Sequence, residues 1–321
     1  MNPNDAQRIA FRDHLTELMR RDPAVVCVDT DTGIFKATDF GDAAERYVNL
    51  GIAEQNAMGV AAGLAASGRR PYVTTMAAFA ASRAAEAVKL DIAYNRLPVR
   101  IVATHGGVAA GHFGPTHHAL EDLAVMRSLP HMTVVVPGDA WSAVSLLGQA
   151  EQCPGPVYVR LGRKPTPPLP PTDQPDIGRL QEMHPAGGTA DAVIVATGPL
   201  PVLRALAAAE QLRHGGIRVA VLQAHTLKPF DTTTLLRRCA RTRLVVTVEE
   251  HWRVGGLGSA VAEALAERSG PPPVLRLGFP DAFVTAPGTQ EQLLDAAGLS
   301  VSGIAARVRR SLHAEDLVEV S

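Results

Sequence analysis

The chain is poor in several things, and each shortage excludes a class of protein. Its three cysteines in 321 residues, Cys27, Cys153 and Cys239, are far apart and odd in number. They read as buried free thiols of a reducing compartment, not as a disulfide framework or a metal site. No apolar run approaches the roughly 18 residues of a membrane span. The formal net charge is only −1, which offers no electrostatic footprint for nucleic acid or an anionic membrane surface. The opening Met1-Asn2-Pro3-Asn4-Asp5 is polar and runs into an amphipathic segment. No secretory signal is therefore expected, and the location reads as cytoplasmic. There is no HExxH pair and no internal repeat.

What is present is 46% hydrophobic residues, ample for two cores, and one clear break. Residues 165–175 read Pro-Thr-Pro-Pro-Leu-Pro-Pro-Thr-Asp-Gln-Pro, which supports neither helix nor central strand and should form a stiff, extended connector. The expected layout is a first domain over 1–164, a proline-rich linker over 165–188 and a second domain over 189–321. In the first domain strands are expected near 24–28, 71–75, 99–104, 132–136 and 156–160, with helices near 5–21, 53–67, 79–95, 119–128 and 139–151. In the second they fall near 191–196, 217–222, 243–248 and 273–277, with helices near 199–213, 231–239, 256–268 and 301–312. Continuous Val/Ile/Ala strands between Ala- and Leu-rich helices predict two α/β domains with mainly parallel sheets covered on both faces.

Two segments carry chemistry. Thr104 to His118 holds four of the eleven histidines and four glycines, directly after the apolar run Val99-Arg100-Ile101-Val102-Ala103. A glycine-rich loop at the end of a buried strand is where an open α/β sheet presents polar groups to a ligand. Imidazoles there can move protons near neutral pH or hydrogen-bond hydroxyls and phosphates. The plain alternative is a polar surface loop. His112, His117 and His118 could gather round a metal, but the loop has no cysteine and no HExxH. Upstream, Glu54 opens a helix whose early residues are small or apolar, so its carboxylate is largely withdrawn from water; the plain reading is a first-turn glutamate favoured by the helix dipole. Thr74-Thr75-Met76-Ala77-Ala78-Phe79 brings an apolar and an aromatic side chain to the same sheet edge, where either could equally be core.

Taken together, Asn49 to Gly59, Thr75 to Phe79, the His105–His118 loop with Leu120-Glu121-Asp122 and Arg127-Ser128-Leu129-Pro130, then Thr247-Val248-Glu249-Glu250-His251 and Gly255-Gly256-Leu257-Gly258 resemble the transketolase family. They follow the order of its pyrimidine-binding and C-terminal domains over about residues 5–315. The resemblance implies thiamine diphosphate as cofactor. It makes Glu54 the partner of the pyrimidine N1′ and Phe79 the ring that stacks on the pyrimidine. Met76 and Ser82 stand where many relatives have phenylalanine and tyrosine, so the ring pocket is remodelled. His105 and His117 match histidines that bind substrate and move protons. Phe113 replaces an aspartate that contacts a donor hydroxyl, Asp29 replaces a serine that contacts phosphate, and Arg8, Arg160 and Arg163 are candidate anion binders.

The family also needs a domain that holds the cofactor's diphosphate through Mg²⁺ (or Ca²⁺ or Mn²⁺) on a Gly-Asp-Gly motif. No Gly-Asp-Gly occurs in the sequence; Gly41-Asp42 and Gly138-Asp139 lack the third glycine. The resemblance thus points to the smaller subunit of a split transketolase. A larger partner would carry diphosphate and metal in an α2β2 assembly, and this chain would be silent alone. Its substrates would be a ketose donor, phosphorylated or not, and an aldehyde acceptor. Two other readings compete: the β subunit of a 2-oxo-acid dehydrogenase, which shares the two-domain plan, and a non-catalytic interaction subunit in which the Phe113 change has ended turnover.

Overall fold

A computed structural model describes residues 5–267 and 269–318. The first domain contains strands β1 (Val25–Asp29), β2 (Tyr47–Asn49), β3 (Arg70–Met76), β4 (Arg100–Thr104), β5 (Thr133–Val135) and β6 (Val157–Arg160). Its helices are α1 (Gln7–Arg21), α2 (Glu54–Ala66), α3 (Ala77–Ala81), α4 (Ala85–Ala87), α5 (Asp122–Ser128) and α6 (Ala140–Ala150). The second domain adds β7 (Gln181–His184), β8 (Ala192–Thr197), β9 (Val219–Gln223), β10 (Thr226–Lys228), β11 (Leu244–Trp252) and β12 (Val274–Phe279). Around these lie α7 (Pro199–His214), α8 (Thr232–Arg238), α9 (Leu257–Ala266), α10 (Gln290–Ala296) and α11 (Val301–Val318).

The first sheet runs β10-β5-β6-β4-β3-β1-β2 and the second β12-β11-β8-β9-β7. Every pairing is parallel except β10 on β5 and β7 on β9. The central strands β1, β4, β6, β8 and β9 are buried along their whole length. Helices cover both faces of such strands, so their sequences are unbroken apolar runs and not alternations.

Three strands escape the sequence reading, β2, β7 and β10, and all three lie at sheet edges. Edge strands are short and need no apolar run, and Tyr-Val-Asn, Gln-Glu-Met-His and Thr-Leu-Lys supply none. Of the expected connector, residues 165–180 contain neither helix nor strand, while its end at Gln181–His184 is already the antiparallel edge of the second sheet. The connector is laced to α6, where the Leu169 amide donates to Asp139 Oδ2 at 3.0 Å and the Ile177 amide to Gln149 Oε1 at 2.9 Å. Through β10 the second half also completes the first sheet.

The continuous helix expected over 79–95 is broken. α3 ends at Ala81, α4 is one turn, and Val88–Ala93 is wound as a π-helix, a departure that often marks functional positions. The break places Ser82, Arg83 and Ala84 outside any helix.

Candidate active site

Strands β1, β3, β4 and β6 are mutually parallel, so their C-terminal ends meet along one edge of the first sheet. Loops at such an edge converge on a common crevice. Glu54 is the first residue of α2 and only 2% exposed. The amide-rich helix N-terminus favours its negative charge, and its Oε2 accepts from Arg83 Nη1 at 2.7 Å. The same guanidinium lies 4.8 Å from the centroid of the Phe79 ring. Phe79 is half-buried one turn beyond Met76, the last residue of β3. Ser82 turns its hydroxyl onto the Ala78 carbonyl at 2.5 Å, so its hydrogen bond closes a turn of its own segment.

The histidine loop begins where β4 ends. His105 has φ +61° and is buried, with Nδ1 2.9 Å from Thr104 Oγ1. That left-handed backbone is uncommon for a residue with a Cβ and a mark of local constraint. Burial, reinforced by the positive charges of Arg163, Arg8 and His117, lowers the His105 pKa from 6.5 to about 4. The ring is therefore neutral at physiological pH. His117 bonds Thr116 through Nδ1 at 2.9 Å and sits edge-on to Phe79 at 5.3 Å between centroids. The Phe113 ring also lies 5.3 Å from His117 between centroids and takes the Arg163 guanidinium at 5.5 Å. Arg8 is pulled below its ordinary pKa by burial and by Arg163, and its Nε is buried without a hydrogen-bond partner. Among the described residues no carboxylate pairs with Arg8 or Arg163. Two guanidiniums without a carboxylate partner thus lie beside two imidazoles, an arrangement suited to an anionic ligand.

Two expected site residues are drawn elsewhere. Asp29, expected to face substrate, is 1% exposed; it accepts from the Thr32 amide and hydroxyl and from Tyr47 at 2.8 Å. These bonds fasten the β1 turn and leave no carboxylate facing a ligand. Arg160, expected to bind an anion, is 5% exposed and pairs with Asp122 Oδ2 at 3.0 Å. Its Nη2 donates to the carbonyls of Ala119 and Glu250 at 3.0 and 2.8 Å. Arg160 therefore belongs to the seam between the domains.

Glu250 braces that seam from the other side: its Oε1 accepts from the Val108 amide at 2.7 Å, and Gln290 donates to both its oxygens. Gly106 and Gly107 make this approach possible. A Cβ on Gly106 would lie 2.5 Å from Arg160, and one on Gly107, at φ +65°, would run into the Glu250 carboxyl. Neither this bracing by Glu250 nor the position of Arg83 follows from the sequence reading. The i, i+4 spacing of Phe79 and Arg83 was the available signal for the second.

The transketolase pyrimidine-binding domain family matches residues 6–168 and the transketolase C-terminal domain family matches residues 185–304. The chain belongs to the transketolase family. It is 39% identical over 303 residues to one of the subunits of the apulose-4-phosphate transketolase of Phocaeicola vulgatus, covering 93% of this chain and 95% of that protein. It is 37% identical to the 6-deoxy-6-sulfo-D-fructose transketolase subunit SqwH of a Clostridium species, covering 92% and 91%. A solved split-gene transketolase in an inactive beta4 tetramer superposes with a TM-score of 0.83 at 41% identity, covering 97% of this chain and 99% of that one. The chain is accordingly the smaller subunit of a split transketolase, a thiamine-diphosphate-dependent transferase. Among the described residues no group of three or more His, Cys, Asp or Glu is placed to hold a metal ion, and no helix is long and apolar enough to cross a membrane.

The crevice fits the pyrimidine half of the cofactor. The buried Glu54 carboxylate and the Phe79 face already hold a flat, N–H-bearing cation, the Arg83 guanidinium. That stand-in has the donor chemistry and shape of a protonated aminopyrimidine.

Proposed function

We propose that this chain, joined to a larger subunit carrying the diphosphate-binding domain and its Mg²⁺ (or Ca²⁺ or Mn²⁺), moves a two-carbon ketol unit from an anionic ketose donor to an aldehyde acceptor. The observation that carries this reading is the grouping at one sheet edge of a buried acid beside an aromatic face with an uncompensated cluster of arginines and histidines. Thiamine diphosphate, when bound, supplies the thiazolium C2 nucleophile. Glu54 holds the proton at the pyrimidine N1′, Phe79 stacks on that ring, and Met76 fills the remodelled side of its pocket. Neutral His105 accepts or donates a hydrogen bond at a substrate hydroxyl, and His117 serves the same end from the Phe79 side. Arg8 and Arg163 anchor the donor's anionic end, a role that suits the phosphate and the sulfo group named in the two relatives.

The assembly expected is α2β2, with activity only on mixing. The inactive beta4 tetramer of the split-gene relative supports the silence of the isolated chain. The test is two-carbon transfer by the mixed subunits, with light scattering for the assembly. Glu54→Ala should slow C2 deuterium exchange by about 10²- to 10⁴-fold with assembly intact. Decarboxylation of 2-oxo acids onto an artificial acceptor in place of transfer would favour a dehydrogenase-type subunit and overturn the proposal.

A further inference from the structure

Arg83 stands in the break of the helix expected over 79–95, and its side chain crosses back to the start of α2. Nη1 donates to Glu54 Oε2 at 2.7 Å while Cζ lies 4.8 Å over Phe79. A guanidinium is planar, delocalised and edged with N–H donors. It makes with one carboxylate and one ring the two contacts assigned above to the cofactor's pyrimidine. Two flat cations cannot lie on the same ring face and bond the same carboxylate edge.

We propose that Arg83 is an internal competitor for the pyrimidine half-site, holding Glu54 and covering Phe79 until the pyrimidine ring displaces it. The inference rests on the reading of Glu54 and Phe79 given above. Its physical motive is the cost of a buried, unpaired carboxylate: Glu54 is 2% exposed and needs a cationic partner whenever the site is empty. Arg83 can supply that partner and still leave, because its own side chain is 48% exposed. Two further carboxylates share its cleft. Glu86, three residues on, and Asp91 line the same open cleft of about 770 Å³ as Glu54 and Arg83. Displacement therefore trades one carboxylate for another and does not strand the guanidinium. A contact this exposed is weakened by solvent, so the competition is modest.

The experiment titrates thiamine diphosphate with Mg²⁺ into the cofactor-free complex of the full chain and its partner subunit, read by calorimetry so that binding and not turnover is measured. Arg83→Ala should bind about three- to ten-fold tighter than wild type, the size of one exposed cation–π contact with its ion pair. Arg83→Lys, which keeps the charge but loses the planar face, should fall between. Equal or weaker binding by Arg83→Ala would overturn the proposal and make Arg83 a support for Glu54. Should the alanine variant fail to assemble, Arg83→Gln decides by the same criterion. Glu54→Gln in the same titration separates the two layers. Made on the Arg83→Ala background, where no competitor is released, Glu54→Gln should weaken binding; if the double variant binds as tightly as Arg83→Ala alone, the assignment of Glu54 to N1′ fails and a steric role of Arg83 over Phe79 alone remains.

Discussion

Arg160 and Arg163 are three residues apart in Arg-Leu-Gly-Arg, yet they belong to opposite kinds of polar region. Arg160 enters the seam between the domains, where Asp122 and the carbonyls of Ala119 and Glu250 receive it. Arg163 enters the crevice, where its neighbours are Arg8, His105 and the Phe113 face. The seam pairs its charges within the chain and so works in stability. The crevice sets the Arg8 and Arg163 guanidiniums near each other with no carboxylate partner, the condition expected where groups are arranged for binding and not for folding. Composition cannot tell the two arginines apart; the partners can.

The largest effect expected from breaking this contrast is on the seam. Asp122→Ala removes the counter-charge of a buried guanidinium and the acceptor of the Tyr158 hydroxyl at 2.7 Å. Breaking one partner of a buried pair typically costs about 3–5 kcal/mol, read as a drop in the midpoint of chemical denaturation. A loss below about 1 kcal/mol, the scale of an exposed pair, would remove Arg160 from the stabilising framework.

The seam should also respond to pH. Burial raises the Glu250 carboxyl from 4.5 to about 7 against the opposing pull of Arg160, Gln290 and the Val108 amide. Between those values the folded chain keeps a proton that the unfolded chain has released, so stability falls as pH rises through this window and levels off above it. Glu250→Gln abolishes the titration, and the Gln290 amide can flip to preserve the bonding. Subtracting the variant's stability curve cancels the opposite trend of the histidines, whose lowered values destabilise the fold in acid. Wild type should lose stability relative to Glu250→Gln between about pH 5 and 7.5; a flat difference would place the carboxyl in ordinary solvent.

In the crevice the same kind of substitution should leave the fold alone. Arg163→Ala should raise KM for a phosphorylated donor about 10- to 100-fold, the worth of a charge-assisted hydrogen bond. Stability should hold or rise. Because Arg163 is the leading charge that depresses His105, the variant's His105 ring should titrate closer to 6.5, a shift visible in the imidazole resonances. A stability loss with KM unchanged would move Arg163 to the seam's side of the comparison.

How much was legible follows from the same physics. Buried central strands announce themselves, since Val-Val-Cys-Val-Asp and Ala-Val-Ile-Val-Ala-Thr can only be covered on both faces. Edge strands β2, β7 and β10 do not, because their pairing owes nothing to apolar pattern. The positions of Glu54 at the start of a helix, Phe79 just past β3 and the histidine loop after β4 were legible, because each follows a strand or opens a helix that the apolar pattern announces. Arg160 and Asp29 were misplaced because a charged residue at a strand end looks the same whether it faces a ligand or a neighbouring carbonyl. Arg83 was hidden by a helix read as continuous where the backbone changes winding.

Phe113 offers the finest test, because it sits at the crevice without belonging to its charge. It is 47% exposed, with His112, His117 and Arg163 around its ring. A ring there offers no acceptor to a donor hydroxyl, and an unpaired hydroxyl costs about 1–3 kcal/mol. The protein should favour a donor deoxygenated or otherwise modified at the matching carbon. Phe113→Asp should then shift the ratio of kcat/KM values toward xylulose 5-phosphate by about ten-fold, since 1.4 kcal/mol is a factor of ten. The new carboxylate would also face Arg163 and weaken the anion site, lowering both rates. That loss is common to two donors bearing the same anionic end, so it cancels in the ratio while the hydroxyl contact does not. An unchanged ratio with both rates reduced would leave Phe113 as a packing surface for Arg163 and His117, with specificity set elsewhere along the edge.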